Sequence, residues 1–281
     1  MIGAIVGDIV GSRFEFNNNK SKNFELFSEN CHITDDSILS LAVAKAIMES
    51  EKIIKYSLAS HFENDEYCKL LKEQTVKYLK EFGKKYPNCG FGQMFYDWVF
   101  HHNSNPYNSY GNGAAMRISP VAYFARTIED IYKLSNCVTS VTHNHSEGLK
   151  GAQAVAVSIF LCRCGLHKHE VKKRIEENYY DLNFTIDQIR DDYIFSSKCQ
   201  DTVPQAIVAF LESTSFEDAI RIAISLGGDS DTIAAITGSI AEAFYNVPKD
   251  IEDKALSYLD NDLRLIYKDW TSFVKHKNCD Y

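Results

Sequence analysis

Apolar residues recur at three- and four-residue spacing along nearly the whole chain, and no run alternates apolar with polar as a half-buried strand requires. That pattern restricts the fold to packed helices: the class is all-α, with ~10 or more helices of ordinary length. In Ser37–Ser50, the residues Ile38, Leu39, Ala42, Val43, Ala46 and Ile47 share one helical face. Glu147–Cys164 is Ala-rich and similarly spaced, with Gly165 placed to stop it. Asp201–Leu211, Phe216–Leu226, Thr232–Tyr245 and Ile251–Tyr258 read the same way. The 281 residues contain no linker-like stretch, so one domain over 1–281 is expected, a compact multi-layer bundle rather than four helices. Asn17–Asn30 and Asn103–Tyr110 are rich in turn formers and read as surface loops. The last ~10 residues are polar and are expected to fray.

Charge narrows the class of partner. Acidic side chains outnumber basic ones 38 to 30, a formal charge of -8. That balance argues against charge-driven binding of nucleic acid or anionic membrane, while leaving room for one small anionic ligand. No stretch approaches the ~18 consecutive apolar residues of a membrane span. The N-terminal segment is apolar but lacks a basic leader and carries Asp8 early, so it reads as a buried helix and not a signal peptide. The eight cysteines form no C-x-x-C pair and read as reduced thiols, which with the rest implies a cytoplasmic protein.

Two short segments carry more acid than structure alone explains. Thr34-Asp35-Asp36-Ser37 and Gly227-Gly228-Asp229-Ser230-Asp231-Thr232 each precede a strongly helical run. One aspartate suffices to cap a helix. Two carboxylates held together repel, and one is driven toward protonation unless a cation sits between them. Carboxylates, threonine hydroxyls and carbonyls form an all-oxygen set, suited to Mg²⁺, Mn²⁺ or Ca²⁺ and not to zinc or copper. Glycines 227 and 228 let the backbone turn sharply beside a ligand. A fifth acid, Glu15, closes the glycine-rich first segment 7–15.

Gly111-Asn112-Gly113-Ala114-Ala115-Met116-Arg117 offers backbone N–H groups that could cradle a phosphate or diphosphate. The alternative is a tight turn into a helix. Thr142-His143-Asn144-His145-Ser146-Glu147 precedes the long apolar helix, with Ser146 or Asn144 as its expected cap. The Tyr96-Asp97-Trp98 stretch is a candidate border of the cleft. No phosphate loop of the G-x-x-x-x-G-K-[ST] type occurs, and Met116 stands where a dinucleotide fingerprint needs its third glycine. There is no His-Asp dipeptide, and Ile233 stands where an aspartyl-phosphate motif wants Thr or Val.

In order, the blocks GDIVGSRFE (7–15), TDDS (34–37), GNGAAMR (111–117), THNHSEGLKGA (142–152) and GGDSDTIAAITG (227–238) resemble the ADP-ribosylglycohydrolase family. The resemblance implies a compact orthogonal all-helical fold and two divalent cations, Mg²⁺ or Mn²⁺. It assigns Thr34, Asp35, Asp36, Asp229, Asp231 and Thr232 as metal ligands, with Glu15 and Asp36 catalytic. It lays Gly111, Asn112, Gly113 and Ala114 along the diphosphate and gives His143 a contact to the ribose or phosphate region. The expected activity is hydrolysis of the N- or O-glycosidic bond joining ADP-ribose to a protein or small-molecule acceptor, through an oxocarbenium-like transition state. A monomer is expected. The competing readings are a non-catalytic ADP-ribose-binding protein on the same fold and a metal-dependent hydrolase of another phosphorylated metabolite. A third, purely structural, has the carboxylates as helix caps.

Overall fold

The computed structural model describes residues 1–54, 65–101 and 104–278, and among these the regular structure is helical. The helices are α1 (Ile2–Gly11), α2 (Asp35–Ile53), α3 (Asp65–Lys85), α4 (Gln93–Phe100), α5 (Ser119–Phe124), α6 (Ile128–Thr139) and α7 (Ser146–Arg163). They continue as α8 (Lys168–Asn178), α9 (Ile186–Ile189), α10 (Cys199–Glu212), α11 (Phe216–Ser225), α12 (Ser230–Tyr245), α13 (Lys249–Leu256) and α14 (Asn261–Asn278). Short 3-10 turns cover Ser12–Phe14 and Asn112–Ala114. The strand-like pairing among the described residues is one isolated bridge between Gly111 and Lys198. Each of the six segments read as helical from its spacing is helical, with ends within about two to three residues.

The core is built around one helix pair. Every residue of α1 is buried, and so is every residue of α12 from Ser230 to Ala241. Glycines 3, 7 and 11 fall four apart on one face of α1, which turns to α12. A Cβ at Gly3 would stand 2.1 Å from the Gly238 carbonyl oxygen, and one at Gly7 2.0 Å from that of Ala234. At Gly11 it would lie 2.5 Å from the Asp231 Cα. The two backbones therefore touch, and the site depends on that approach. Helices α7, α10 and α11 close round the rest of α12, while α2 packs against α3, α5 and α14. One apolar cluster runs from Met1 to Val274. Each fully buried Ile or Leu in it contributes roughly 1.5–3 kcal/mol.

Two expectations are corrected. Helix α7 is capped neither by Ser146, its first residue, nor by Asn144. His145 is the cap: it is extended, and its Nδ1 accepts from the Glu147 amide at 3.1 Å. Asn144 Oδ1 is occupied by the Asn108 amide at 2.8 Å. At the other end, α14 carries the polar tail as helix to Asn278, so the frayed segment does not begin at about residue 272; residues 279–281 lie outside the described set. Asn17–Asn30 forms no helix, and Gly165 ends α7 at φ +80°. No helix among the described residues is long and apolar enough to cross a membrane.

Candidate metal centre and ligand cleft

The close α1–α12 contact brings an acid from the middle of α1 to the beginning of α12. Asp8 is fully buried, as an aspartate inside an apolar helix must be. Its Oδ1 accepts the Thr34 hydroxyl at 2.6 Å, and its Oδ2 accepts the amides of Thr34 at 3.0 Å and Ser37 at 3.1 Å. The Ser37 hydroxyl also donates to Oδ2. Asp8 thereby fastens the first turn of α2 to α1, with an anion at a helix N-terminus where the dipole favours it.

Thr34 caps α2 with its side chain, accepting from the Asp36 amide at 3.4 Å. The cap aims Asp36 inward. Asp36 Oδ2 accepts from Thr232 Oγ1 at 3.2 Å, which joins α2 to α12. Its Oδ1 is buried with no hydrogen-bond partner. The turn before α12 puts Gly227 and Gly228 at φ +75° and +72°, a region that strains residues carrying a Cβ. This turn delivers Asp229 and Asp231, both buried, to the same place.

Two groups of three carboxylates result, each with oxygens within 4.8 Å of one another: Asp8, Asp36 and Asp231, and Glu15, Asp229 and Asp231. Asp231 belongs to both. Asp35 lines the adjoining cleft, half-buried, but belongs to neither group; its amide is tied to the Cys89 carbonyl at 2.8 Å. Thr34 and Thr232 set their hydroxyls on the first group.

Electrostatics makes the arrangement costly as it stands. Burial, then the charges of Asp231 and Asp8, push Glu15 up to about 8. Burial lifts Asp36 and Asp35 well above the usual carboxylate range, with Asp231 the next cause, and lifts Asp231 with Asp229 the next cause. Burial raises Asp229 to about 6, restrained by the Asn112 hydrogen bond. Like charges packed this closely, with a buried and unpartnered oxygen on Asp36, fit cation binding: positive charge would remove the repulsion and occupy the free lone pair. The all-oxygen donor set matches a hard divalent ion.

The acids form part of the wall of a cleft of about 420 Å³. Gly111, Asn112, Gly113 and His143 line it too, as do Tyr107, Arg117 and the paired rings of Phe16 and Phe195. The glycine loop differs from the expected cradle. Its Gly111 amide donates to Ser109 Oγ at 3.1 Å and its Asn112 amide to the Ser197 carbonyl at 2.8 Å, so neither is free for a ligand. Ala114 is turned into the apolar core by the 3-10 turn and does not line the cleft. The Asn112 side chain reaches Asp229 Oδ2 at 2.7 Å, so it braces the carboxylates. Asp97 lies on exposed surface beside the cleft, in an adjacent pocket that shares Met94 and Tyr107 with it.

The segment 17–30 is tied to the turn that carries Asp229. Asn18 Oδ1 accepts the Gly228 amide at 2.6 Å. Lys20 Nζ donates to the carbonyls of Arg190, Tyr193 and Leu226 at 2.6, 2.9 and 2.8 Å. Sequence reasoning missed this clasp, and it missed Asp8 as part of the centre. The signal for Asp8 was present: a lone acid in an otherwise apolar, glycine-spaced helix needs buried partners.

The family model for ADP-ribosylglycohydrolase matches residues 1–272. The ADP-ribosylhydrolase ARH3 of Homo sapiens is 24% identical over 343 residues, covering 94% of this chain and 90% of the relative. The ADP-ribosylarginine hydrolase Tri1 of Pseudomonas putida (strain GB-1) is 31% identical over 144 residues, 49% of this chain and 39% of the relative. A solved structure described as an ADP-ribosylglycohydrolase-related protein complex superposes with a TM-score of 0.63 at 18% identity, covering 94% of each chain, which speaks for the fold. With an all-helical fold and a family match over nearly its whole length, this chain belongs to the ADP-ribosylglycohydrolase family of hydrolases.

Proposed function

We propose that the chain hydrolyses the N- or O-glycosidic bond between ADP-ribose and a protein or small-molecule acceptor, with two divalent cations, Mg²⁺ or Mn²⁺, as cofactors. The reading is carried by one observation: acids from α1, α2 and the α12 turn converge, buried and mutually repelling, on the wall of one cleft. Asp8, Asp36 and Asp231 would hold one cation, and Glu15, Asp229 and Asp231 the other, with Thr34, Asp35 and Thr232 beside them. When bound, the cations supply charge neutralisation and Lewis acidity toward the ribose hydroxyls and water.

The chain's own groups do the rest. Glu15 is half-buried and opens on the cleft, where its carboxylate takes the proton of the attacking water and returns it to the leaving group. Asp36, shared between ligation and catalysis, is kept in line by the hydroxyl of Thr232. Asn112 fixes the rotamer of Asp229. Gly111, Gly113 and His143 receive the diphosphate and its ribose, the two glycines placing no side chain on their part of the wall. The seven described cysteines are free, in keeping with a reducing, cytoplasmic setting.

The test is release of ADP-ribose from defined arginine- and serine-linked conjugates. Turnover is expected with Mg²⁺ or Mn²⁺ and none after chelation. Full activity in chelator would reject the metal-dependent mechanism, and binding of every conjugate without release would reject catalysis.

A further inference from the structure

The cleft that the acids line also has a buried guanidinium on its wall. Arg117 is 1% exposed, and its guanidinium lies 5.6 Å from the Phe95 ring centroid. Its Nη2 donates to Thr142 Oγ1 at 2.7 Å, and Thr142 Oγ1 lies 2.8 Å from His143 Nδ1. Arginine can only donate, so one lone pair of the threonine oxygen is taken. The Tyr107 hydroxyl also meets the Thr142 side chain, and burial keeps it protonated, so it can donate to the second lone pair. The threonine proton is then left with His143 Nδ1 at 2.8 Å and the Thr139 carbonyl at 3.5 Å. That carbonyl already accepts the amides of Thr142 at 3.2 Å and His143 at 2.9 Å, which fills its two lone pairs. The proton goes to Nδ1. A neutral imidazole that accepts at Nδ1 carries its own proton on Nε2. Burial, then the charge on Arg117, keep the ring neutral.

Nε2 faces the glycine loop. A Cβ on Gly113 would stand 3.3 Å from it, and one on Gly111 3.9 Å. We propose that Arg117, acting through Thr142, fixes His143 as an Nε2–H donor aimed at an oxygen of the ligand lying over Gly111–Gly113. Arg117 and Thr142 are positioning residues, and His143 is the binding group. The arrangement selects a lone-pair-bearing oxygen at that point, phosphate or hydroxyl, and disfavours a ligand that presents a donor there. That the ligand is ADP-ribose rests on the function proposed above; the state of the ring does not.

The experiment is a ¹⁵N–¹H multiple-bond spectrum of His143 in the full, cation-free chain, with ADP-ribose affinity measured by calorimetry. The expected result is an Nε2-protonated ring in the parent protein. Thr142→Val removes the proton source, and the ring should shift toward the Nδ1-protonated form, with ADP-ribose binding weakened roughly 10- to 100-fold. Thr142→Ser should restore both. An Nδ1-protonated ring in the parent protein, or an unchanged spectrum in Thr142→Val, overturns the inference. Should the valine variant fail to fold, the parent and serine spectra decide. An Nε2-protonated ring in a chain that cleaves no conjugate leaves the inference standing and removes the hydrolase reading; the reverse result does the opposite.

Discussion

Replacing Gly7 by alanine tests how the site is built without touching any acid. The added Cβ would fall 2.0 Å from the Ala234 carbonyl oxygen, where real contacts do not go below 3.0 Å. Helices α1 and α12 must part by the difference, about 1 Å, because both neighbours are backbone and neither can rotate away. Asp8 rides on α1, one residue from the substitution, and Asp231 on α12, so the displacement falls on the first carboxylate group. Overpacking of this kind costs on the order of 1–3 kcal/mol. A 1 Å error in a reacting constellation costs about 100-fold in rate. We expect Gly7→Ala to lower the melting temperature and to reduce kcat/KM by about 100-fold, with a weaker stabilising response to Mg²⁺. The control is Gly165→Ala. Unlike Gly7 it sits at positive φ, but it has open space around it, so it should lose about 1 kcal/mol and keep its turnover. Gly7→Ala with parental kcat/KM and a parental response to Mg²⁺ would refute the claim that the backbone contact sets the centre.

Three further outcomes follow from the same geometry. In chelator, Glu15 and Asp229 have folded pKa values raised to about 8 and about 6, so the folded state binds protons that the unfolded chain releases. Stability should therefore be highest near pH 4–5 and fall toward pH 8, and saturating cation should flatten that slope; urea unfolding with and without chelator reads it, and a rise from pH 5 to pH 8 in chelator would contradict it. Asp8→Asn keeps the shape but gives the amides and hydroxyls of Thr34 and Ser37 one acceptor oxygen in place of two; the melting shift on adding Mg²⁺ should vanish and activity fall more than about 100-fold, and a full shift would exclude Asp8 from the centre. Lys20→Met removes three carbonyl contacts, one of them to Leu226 directly before the Gly227–Gly228 turn and the others to Arg190 and Tyr193; a loss of about 1–2 kcal/mol with weaker cation affinity is expected, and unchanged affinity would separate the clasp from the site.

The parts of the site that could be read from the chain alone are those written in adjacent residues. Thr34-Asp35-Asp36 and Asp229-Ser230-Asp231 show themselves because paired acids before a helix exceed what a cap can use. Asp8 does not, because its role depends on which backbone lies against α1, and that is set by glycines 3, 7 and 11 meeting α12 more than two hundred residues later. Asp35 and Asp36 look equivalent in sequence and both line the cleft, but Asp36 is buried beside Asp8 and Asp231 while Asp35 is half-buried and outside that group. The family resemblance lays Ala114 along the diphosphate with Gly113, but the 3-10 turn puts its side chain in the core. Cap identity failed at α7 because Ser146, Asn144 and His145 can all cap, and only the tertiary partner of Asn144 decides.

The two halves of the centre are also far apart in time of synthesis. Asp36 and Thr232 are 196 positions apart, and nothing local brings them together. A ribosome that has made everything up to α11 has produced a chain with Asp8, Asp36 and Glu15 in place but with no α12 to cover α1. Its apolar, glycine-faced first helix must then wait, exposed or chaperoned, until the last fifth emerges. Closure of so long a loop is slow compared with helix formation. Late maturation of the whole enzyme, with no partly active nascent form, is the consequence.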